Sequence, residues 1–126
     1  MPYNGSRKRP PGPPEGAAIS QVKTLLSSYF SLKDEIIHLE KRLAALPAGS
    51  AEEAPVRRAL FRDRLLVLRI ERAVYSLSSP RRRRLLEARY LEGMSWLEVA
   101  AVLHVSESTV YALHRKALKE LEGRPG

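Results

Sequence analysis

The sequence lacks cysteine and is poor in aromatic residues, and both absences limit what the protein can be. With no cysteine in 126 residues, disulfide bonds and thiolate zinc sites are excluded. Aromatic residues make up 6% of the chain and glycines number seven, which argues against an all-β sandwich or barrel. No apolar run approaches the roughly 18 residues that cross a bilayer, and no secretory signal opens the chain. We therefore expect a cytoplasmic protein that does not bind a membrane.

Positive charge is what the sequence has in excess. Lysine and arginine number 22 against 14 acidic residues, for a formal net charge of +8. Such a surplus favours a polyanionic partner, either nucleic acid or an acidic membrane surface. The length is sufficient for one modest domain, or for a small domain with an extension.

The first 17 residues predict a disordered basic arm. Five of the nine prolines lie within residues 1–16, together with the basic triplet Arg7, Lys8 and Arg9. A segment of this composition buries too little apolar surface to offset the entropy lost on ordering. The triplet either contacts phosphates or acts as part of a solubilising tail.

Residues 18–78 predict a helical hairpin that is also a candidate oligomerisation element. One long helix is expected from about Ala18 to Leu46 and a second from about Val56 to Leu77, joined by a loop rich in turn-forming residues. Apolar residues in both helices are spaced alternately by three and four, with Asp63 in an apolar position of the second. This spacing is typical of an antiparallel pair within one chain or of an intermolecular coiled coil, and it does not distinguish them.

Residues 79–126 predict a three-helix DNA-binding unit with a cap at the start of each helix. Ser79 followed by Pro80 begins the first helix, and Gly93 ends it. Ser95 and Glu98 form a capping box that begins the second helix. Ser106 caps the third. The last two helices correspond to a helix-turn-helix, whose second helix enters the major groove of DNA.

The third helix predicts one buried side and one side that faces DNA. Four of its residues recur at helical spacing and are expected to face inward: Val110, Leu113, Ala117 and Leu121. The candidates for reading base edges lie on the other side, near the start of the helix: Glu107, Ser108, Tyr111 and Ala112. The candidates for phosphate contact are the basic residues Arg81, Arg82, Arg83, Arg84, Arg115, Lys116 and Lys119. Compensation of the helix dipole is an alternative role for Glu107, and Trp96 and Tyr90 are expected to be packing residues.

This segment closely resembles region 4 of the sigma-70 family of transcription initiation factors. The resemblance rests on the following residues: Leu77, Ser78, Ser79 and Pro80; Arg89 to Gly93; Ser95; Glu98, Val99 and Ala100; Leu103; Val105 and Ser106; Thr109 and Val110; Lys116, Ala117 and Leu118. It implies a helix-turn-helix that reads a promoter element, and by position it assigns base contact to Glu107, Ser108, Tyr111 and Ala112. The residues at these four places differ from those common in the family, so a different target sequence is expected.

The chain as a whole is similar to the RinA/ArpU-like late-gene transcription regulators of bacteriophages and prophages. Leu68 to Ala73, leading into Leu77, Ser78 and Ser79, carries this likeness. It implies a sequence-specific activator of phage late genes in a bacterial host cell, with double-stranded DNA as partner. The resemblance to sigma region 4, which also docks on polymerase, makes RNA polymerase a second candidate partner. The apolar spacing of the N-terminal helices makes a homodimer through them a candidate assembly. Two alternatives remain open: a phage small terminase subunit that recognises DNA for packaging, and a sigma-like module that binds RNA polymerase more than DNA.

An enzyme is not expected. His38, His104 and His114 lie on separate elements, and no carboxylate pair or glycine-rich loop accompanies them. Binding of a metal by His104 and His114 would require a third ligand that the sequence does not identify. The sequence therefore predicts no catalytic residues, no metal site and no cofactor.

Overall fold

The computed structural model describes residues 15–123, with side chains from Gln21 onward, and the regular secondary structure of this part of the chain is entirely helical. Within it there are six α-helices and no β-strand, so the predicted all-α fold is confirmed. The helices are α1 (Glu15–Ser27), α2 (Tyr29–Ala45), α3 (Glu53–Tyr75), α4 (Pro80–Leu86), α5 (Trp96–Leu103) and α6 (Glu107–Glu122). Most of the predicted basic arm lies outside the described residues, and α1 begins at Glu15, before the expected helix start at Ala18.

The prediction of one unbroken helix from Ala18 to Leu46 is wrong, because the helix is interrupted at Ser28. The Ser28 hydroxyl donates to the carbonyl oxygen of Leu25 at 2.6 Å, and its backbone N–H donates to the same oxygen at 3.1 Å. Serine side chains compete in this way with the regular helical hydrogen bonds. The two resulting helices have different partners: α1 packs against α6, whereas α2 packs along α3.

Helices α2 and α3 form an antiparallel pair within the chain. The Tyr29 hydroxyl donates to Glu71 at 2.7 Å at one end of the pair, and Arg42 donates to Glu52 at 2.6 Å near the other end. A small apolar cluster joins the helices between these contacts, formed by the buried residues Leu39, Val56 and Leu60 with Ile36, Leu43, Leu46 and Ala59 around them. The stripes of alternate three- and four-residue spacing are thus used inside one molecule.

Asp63 is a buried acidic residue on α3, in the stripe that was expected to be apolar. Its exposed fraction is 2%. One carboxylate oxygen lies 3.5 Å from Nε of Arg62, and the other, Oδ2, has no hydrogen-bond partner. Burial of a polar atom without a partner is costly, so Asp63 is a local weak point of the hairpin.

The C-terminal unit has a core that extends beyond its own three helices. Leu85, Val99 and Val110, from α4, α5 and α6, are fully buried in one cluster. Leu26 of α1 and Ile70 of α3 are buried in the same cluster, with exposed fractions of 1% and 0%. The end of α1 and the C-terminal part of α3 therefore complete the core of the C-terminal unit from the hairpin side.

The first helix of this unit starts as predicted and ends in a wider turn. The Ser79 hydroxyl accepts from the backbone N–H of Arg82 at 3.3 Å, which confirms the cap. After α4 the segment Glu87–Leu91 is π-helical, and the N–H of Glu92 donates to the Glu87 carbonyl at 2.9 Å. Gly93 then takes a φ of 75°, and a Cβ at that position would lie 3.3 Å from the ring of Phe30. Glycine therefore suits both the left-handed backbone conformation and the close approach of Phe30 from α2.

Candidate DNA-binding surface

The turn between α5 and α6 is fixed by caps on both sides. The Ser95 hydroxyl accepts from the N–H of Glu98 at 3.1 Å, and the Glu98 carboxylate accepts from the N–H of Ser95 at 2.8 Å, so the predicted capping box is confirmed. At the end of α5, His104 adopts the left-handed conformation with φ 59° and ψ 43°. The N–H of Val105 then donates to the carbonyl of Ala100 at 3.1 Å. These bonds hold α6 at a fixed angle to α5.

Helix α6 begins with a cluster of three hydroxyl groups. Ser106 accepts from the N–H of Thr109 at 3.2 Å, which confirms the predicted cap. Its hydroxyl also lies 3.1 Å from that of Ser108 and 3.0 Å from that of Thr109. The Ser108 hydroxyl, a candidate for base contact, is therefore already oriented by the cap.

The four candidate base-reading residues all lie on the exposed side of the first two turns of α6. Glu107, Ser108, Tyr111 and Ala112 are exposed, and Tyr111 is 50% exposed. The opposite side is buried in the core and includes Val110, His114, Ala117, Leu118 and Leu121. The structure thus brings the four candidates together on one exposed side of the helix, which is compatible with contact to a DNA groove.

Tyr111 is supported by two residues that sequence spacing does not connect with it. Its ring lies 5.4 Å from the ring of Trp96, centre to centre, in an edge-on arrangement. The guanidinium of Arg89 stacks on Trp96 at 4.3 Å from the ring centre and donates to the carbonyl of Met94 at 2.9 Å. Arg89, Trp96 and Tyr111 come from three successive helical segments. The expected packing role of Trp96 is seen, and Arg89 is the residue that the sequence analysis missed.

The seven candidate phosphate-binding residues fall into two groups. Arg115 and Lys116 are exposed in the second half of α6, together with Lys119, and Arg81 is exposed at the start of α4. The other three arginines of the run bind groups within the protein: Arg82 donates to Glu120 at 3.2 Å, Arg83 to the carbonyl of Leu77 at 2.6 Å, and Arg84 to Glu87 and Glu92 at 2.9 and 2.7 Å. Phosphate contact by these three would require them to share or exchange those partners.

His114 is a structural residue of the interior. It is 8% exposed, and its Nε2 shares a hydrogen bond of 2.7 Å with the hydroxyl of buried Tyr90. Burial, with smaller contributions from the cations Lys23 and Arg89, lowers the pKa of His114 to about 4. Burial likewise raises the pKa of Tyr90 to about 12. Both side chains are therefore neutral near pH 7, as the interior requires.

Among residues 15–123, no group of three or more His, Asp or Glu side chains is placed to hold a metal ion. His104 and His114 in particular are not brought together with a third ligand. In the same range no helix is long and apolar enough to span a membrane.

Comparison with known families identifies the C-terminal unit. Residues 69–121 match the family described as Sigma-70, region 4. The match covers less than half of the chain, and it begins at the part of α3 that supplies Ile70 and Val74 to the shared core. Searches of curated proteins and of solved structures found no significant match to the chain.

The match and the geometry agree on the kind of domain that this is. Residues 69–121 contain a sigma-70 region 4-like helix-turn-helix formed by α5 and α6, and this class of domain binds DNA in a regulatory and not a catalytic role. The match therefore indicates a DNA-binding function related to transcription for this domain. A contact with RNA polymerase is compatible with the same match.

Proposed function

We propose that the chain is a sequence-specific regulator of transcription that inserts α6 into the major groove of double-stranded DNA. The observation that carries this proposal is the exposed first two turns of α6, where Glu107, Ser108, Tyr111 and Ala112 protrude next to a rigid turn. Residues at such a position contact base edges, and basic residues farther along the helix contact phosphates.

Each base-facing residue has a chemically matched contact. The Glu107 carboxylate can accept from a cytosine amino group, and the methyl group of Ala112 can contact the methyl group of thymine. The Ser108 hydroxyl can donate or accept. Tyr111, held by Trp96, presents its hydroxyl from a fixed position, which favours a defined base preference.

Phosphate contacts then fix the orientation of the protein on the duplex. Arg115, Lys116 and Lys119 follow the base-facing residues on α6, and Arg81 lies at the start of α4. Arg82, Arg83 and Arg84 remain candidates, although their present partners favour structural roles. Arg82 joins α4 to Glu120 of α6, whereas Arg83 and Arg84 bind groups outside α6.

We propose in addition that the protein activates phage or prophage late genes. This proposal rests on the resemblance of the whole chain to RinA/ArpU-like regulators. A homodimer through the N-terminal helices also stays a prediction. It would require DNA half-sites about one helical turn apart, and light scattering in solution would detect it.

The decisive experiment is recovery of sheared source-genome DNA by the purified protein at moderate salt, followed by sequencing. One or a few sharp peaks beside a promoter support a sequence-specific regulator. A peak inside a packaging gene would favour the small terminase subunit, and uniform recovery would indicate a non-specific basic protein. Absence of recovery would favour a sigma-like module that binds polymerase.

Two substitutions separate base reading from phosphate contact. Arg115→Ala should weaken binding to all sequences and reduce the slope of log affinity against log salt by about one. Tyr111→Ala should change the preferred sequence with little change in that slope. Lys41→Ala, which removes an exposed charge from α2, is the matched control and should leave both quantities unchanged. Wild-type behaviour of both α6 variants would contradict the proposed surface.

A further inference from the structure

Helix α3 carries a second apolar stripe, separate from the one that packs on α2. Phe61, Leu65, Leu68 and Tyr75 are 69%, 46%, 42% and 53% exposed. Their spacing of four, three and seven residues puts them along one side of the helix, and Arg72 occupies the remaining place in the repeat. We refer to these five residues as the outer stripe. A run of large exposed apolar side chains at heptad spacing is typical of a surface that binds another helix.

The outer stripe has an excess of positive charge beside it. Arg58, Arg69 and Arg72 are exposed and form no ion pair among the described residues. Arg62, with 64% of its side chain exposed, has only the contact of 3.5 Å with buried Asp63. Four arginines therefore lie within or next to the stripe without a strong acidic partner.

Other arginines of the same helix are neutralised. Arg57 pairs with Glu53 at 3.0 Å, and Arg64 pairs with Glu40 of α2 at 2.6 Å. The Arg64 pair lies at the border with α2, whereas the Arg57 pair lies within α3. The charge that has no strong acidic partner is thus concentrated at Arg58, Arg62, Arg69 and Arg72, within or next to the outer stripe.

This charge pattern distinguishes among the kinds of molecule that could bind the outer stripe. A second copy packed on the same stripe would put its arginines against those of the first, and like charges in an interface are unfavourable. Duplex DNA would satisfy the arginines but would leave Phe61, Leu65 and Leu68 without apolar contacts. A helix that combines apolar and acidic side chains satisfies both.

We propose that the outer stripe of α3 docks an amphipathic helix of another protein whose apolar side is flanked by aspartate and glutamate. The stripe leads directly to the DNA-binding unit, because the hydroxyl of Tyr75 donates to Glu87 at 2.7 Å. This part of the inference rests on the proposed function: with DNA bound at α6, the partner would lie beside the DNA-binding unit without occupying α6.

The test uses the full chain and two synthetic labelled helical peptides of about three heptads. Both carry leucine at the seam positions. One has glutamate at the flanking positions and the other has lysine. Fluorescence anisotropy measures the dissociation constant of each peptide, and light scattering measures the mass of the protein alone.

We expect the acidic peptide to bind at least tenfold more tightly than the basic one. Leu65→Ala and Arg69→Gln should each weaken its binding by about tenfold, which corresponds to about 1.4 kcal/mol. Ile37→Ala is the matched control, because Ile37 is an exposed apolar residue of α2 outside the stripe, with an exposed fraction of 51%. It should leave the affinity unchanged. Each variant should retain the wild-type circular dichroism spectrum, because all three positions are exposed.

Three results would overturn the proposal. Equal affinity for the two peptides, or no binding of either, would contradict the proposal that the arginines beside the stripe favour an acidic helix. A protein dimer that Leu65→Ala dissociates would identify a second copy as the occupant. A loss of DNA affinity in Arg69→Gln, with peptide binding unchanged, would assign these arginines to DNA.

Discussion

The hydroxyl of Tyr90 and Nε2 of His114 lie 2.7 Å apart inside the DNA-binding unit. Tyr90 belongs to the π-helical segment after α4, and His114 belongs to α6, so this hydrogen bond joins the first helical segment of the unit to the helix that faces DNA. The Trp96 ring lies 4.7 Å from that of His114, centre to centre, and adds α5 to the same cluster. One hydrogen bond and one ring contact, both made by His114, thus connect all three parts of the unit.

Stability should fall in mild acid because of His114. Its pKa is lowered from 6.5 to about 4 in the folded protein, so the unfolded chain takes up this proton first as the pH decreases. The contribution to stability is therefore complete above about pH 6.5 and is lost progressively toward pH 4, by roughly 2–3 kcal/mol. Urea unfolding followed by circular dichroism between pH 7.5 and 4.5 measures it.

His114→Gln isolates this contribution, because glutamine can still form a hydrogen bond with Tyr90 but does not titrate. The variant should show a smaller decrease in the free energy of unfolding between pH 6.5 and 5. His38→Gln, on the exposed side of α2, should follow the wild type. Identical pH profiles for all three proteins would show that His114 is not the group responsible.

His104→Gly should stabilise the protein. His104 has a φ of 59°, a conformation that costs a non-glycine residue about 1 kcal/mol or more. Glycine removes this strain, but it also raises the conformational entropy of the unfolded chain, which offsets part of the stabilisation. We expect a net increase of about 0.5 kcal/mol in the free energy of unfolding, measured by chemical denaturation. His104→Ala retains the strain and is the control. A gain with alanine as large as that with glycine would refute the backbone explanation.

Replacement of Asp63 by leucine should also stabilise the protein. The substitution removes a buried carboxylate oxygen that has no hydrogen-bond partner and adds apolar surface between the two apolar regions of α3. The free energy of unfolding should rise by about 1–2 kcal/mol. Asp63→Asn retains a polar group and should gain less. Destabilisation by leucine would indicate that Asp63 binds a group that its contacts do not reveal.

Trp96 should report DNA binding directly. It is the sole tryptophan of the chain, and its ring packs against Tyr111. Contact of Tyr111 with a base will change the surroundings of the indole, so the emission of Trp96 should change on titration with specific DNA. Tyr111→Phe keeps the ring and should preserve the unbound spectrum. Binding detected by anisotropy of labelled DNA, with constant tryptophan emission, would place the DNA elsewhere.

Local signals predicted much of the DNA-binding unit. Ser79, Ser95 and Ser106 cap their helices as the sequence indicates, because a cap depends on residues within one turn. The end of the first helix of the unit at Gly93 and the buried side of α6 were likewise predicted from residues close together in the sequence. The exposed positions of Glu107, Ser108, Tyr111 and Ala112 follow from the periodicity of a helix, while their contact with DNA stays a prediction.

Contacts between distant elements were the part that the sequence did not predict. The apolar spacing continues without interruption through Ser28, although the helix is interrupted there. The two resulting helices pack against different elements, α1 against α6 and α2 against α3. His114 and Leu118 are buried in addition to the predicted inward residues, and α1 also packs on α6, so the buried face is wider than a single stripe. The stacking of Arg89 on Trp96 likewise depends on how helices meet in space.

The break at Ser28 has a practical consequence for the extent of the folding unit. Leu26 and Tyr29 lie on either side of it, and both are buried in the core that supports α6. A fragment that began at Ser79 would therefore contain every residue proposed to face DNA and still lack part of the interior on which they are mounted. We therefore expect the smallest fragment that folds like the native protein to include α1 as well as residues 79–123. The proposed recognition of DNA by α6 would then depend on residues some eighty positions earlier in the chain.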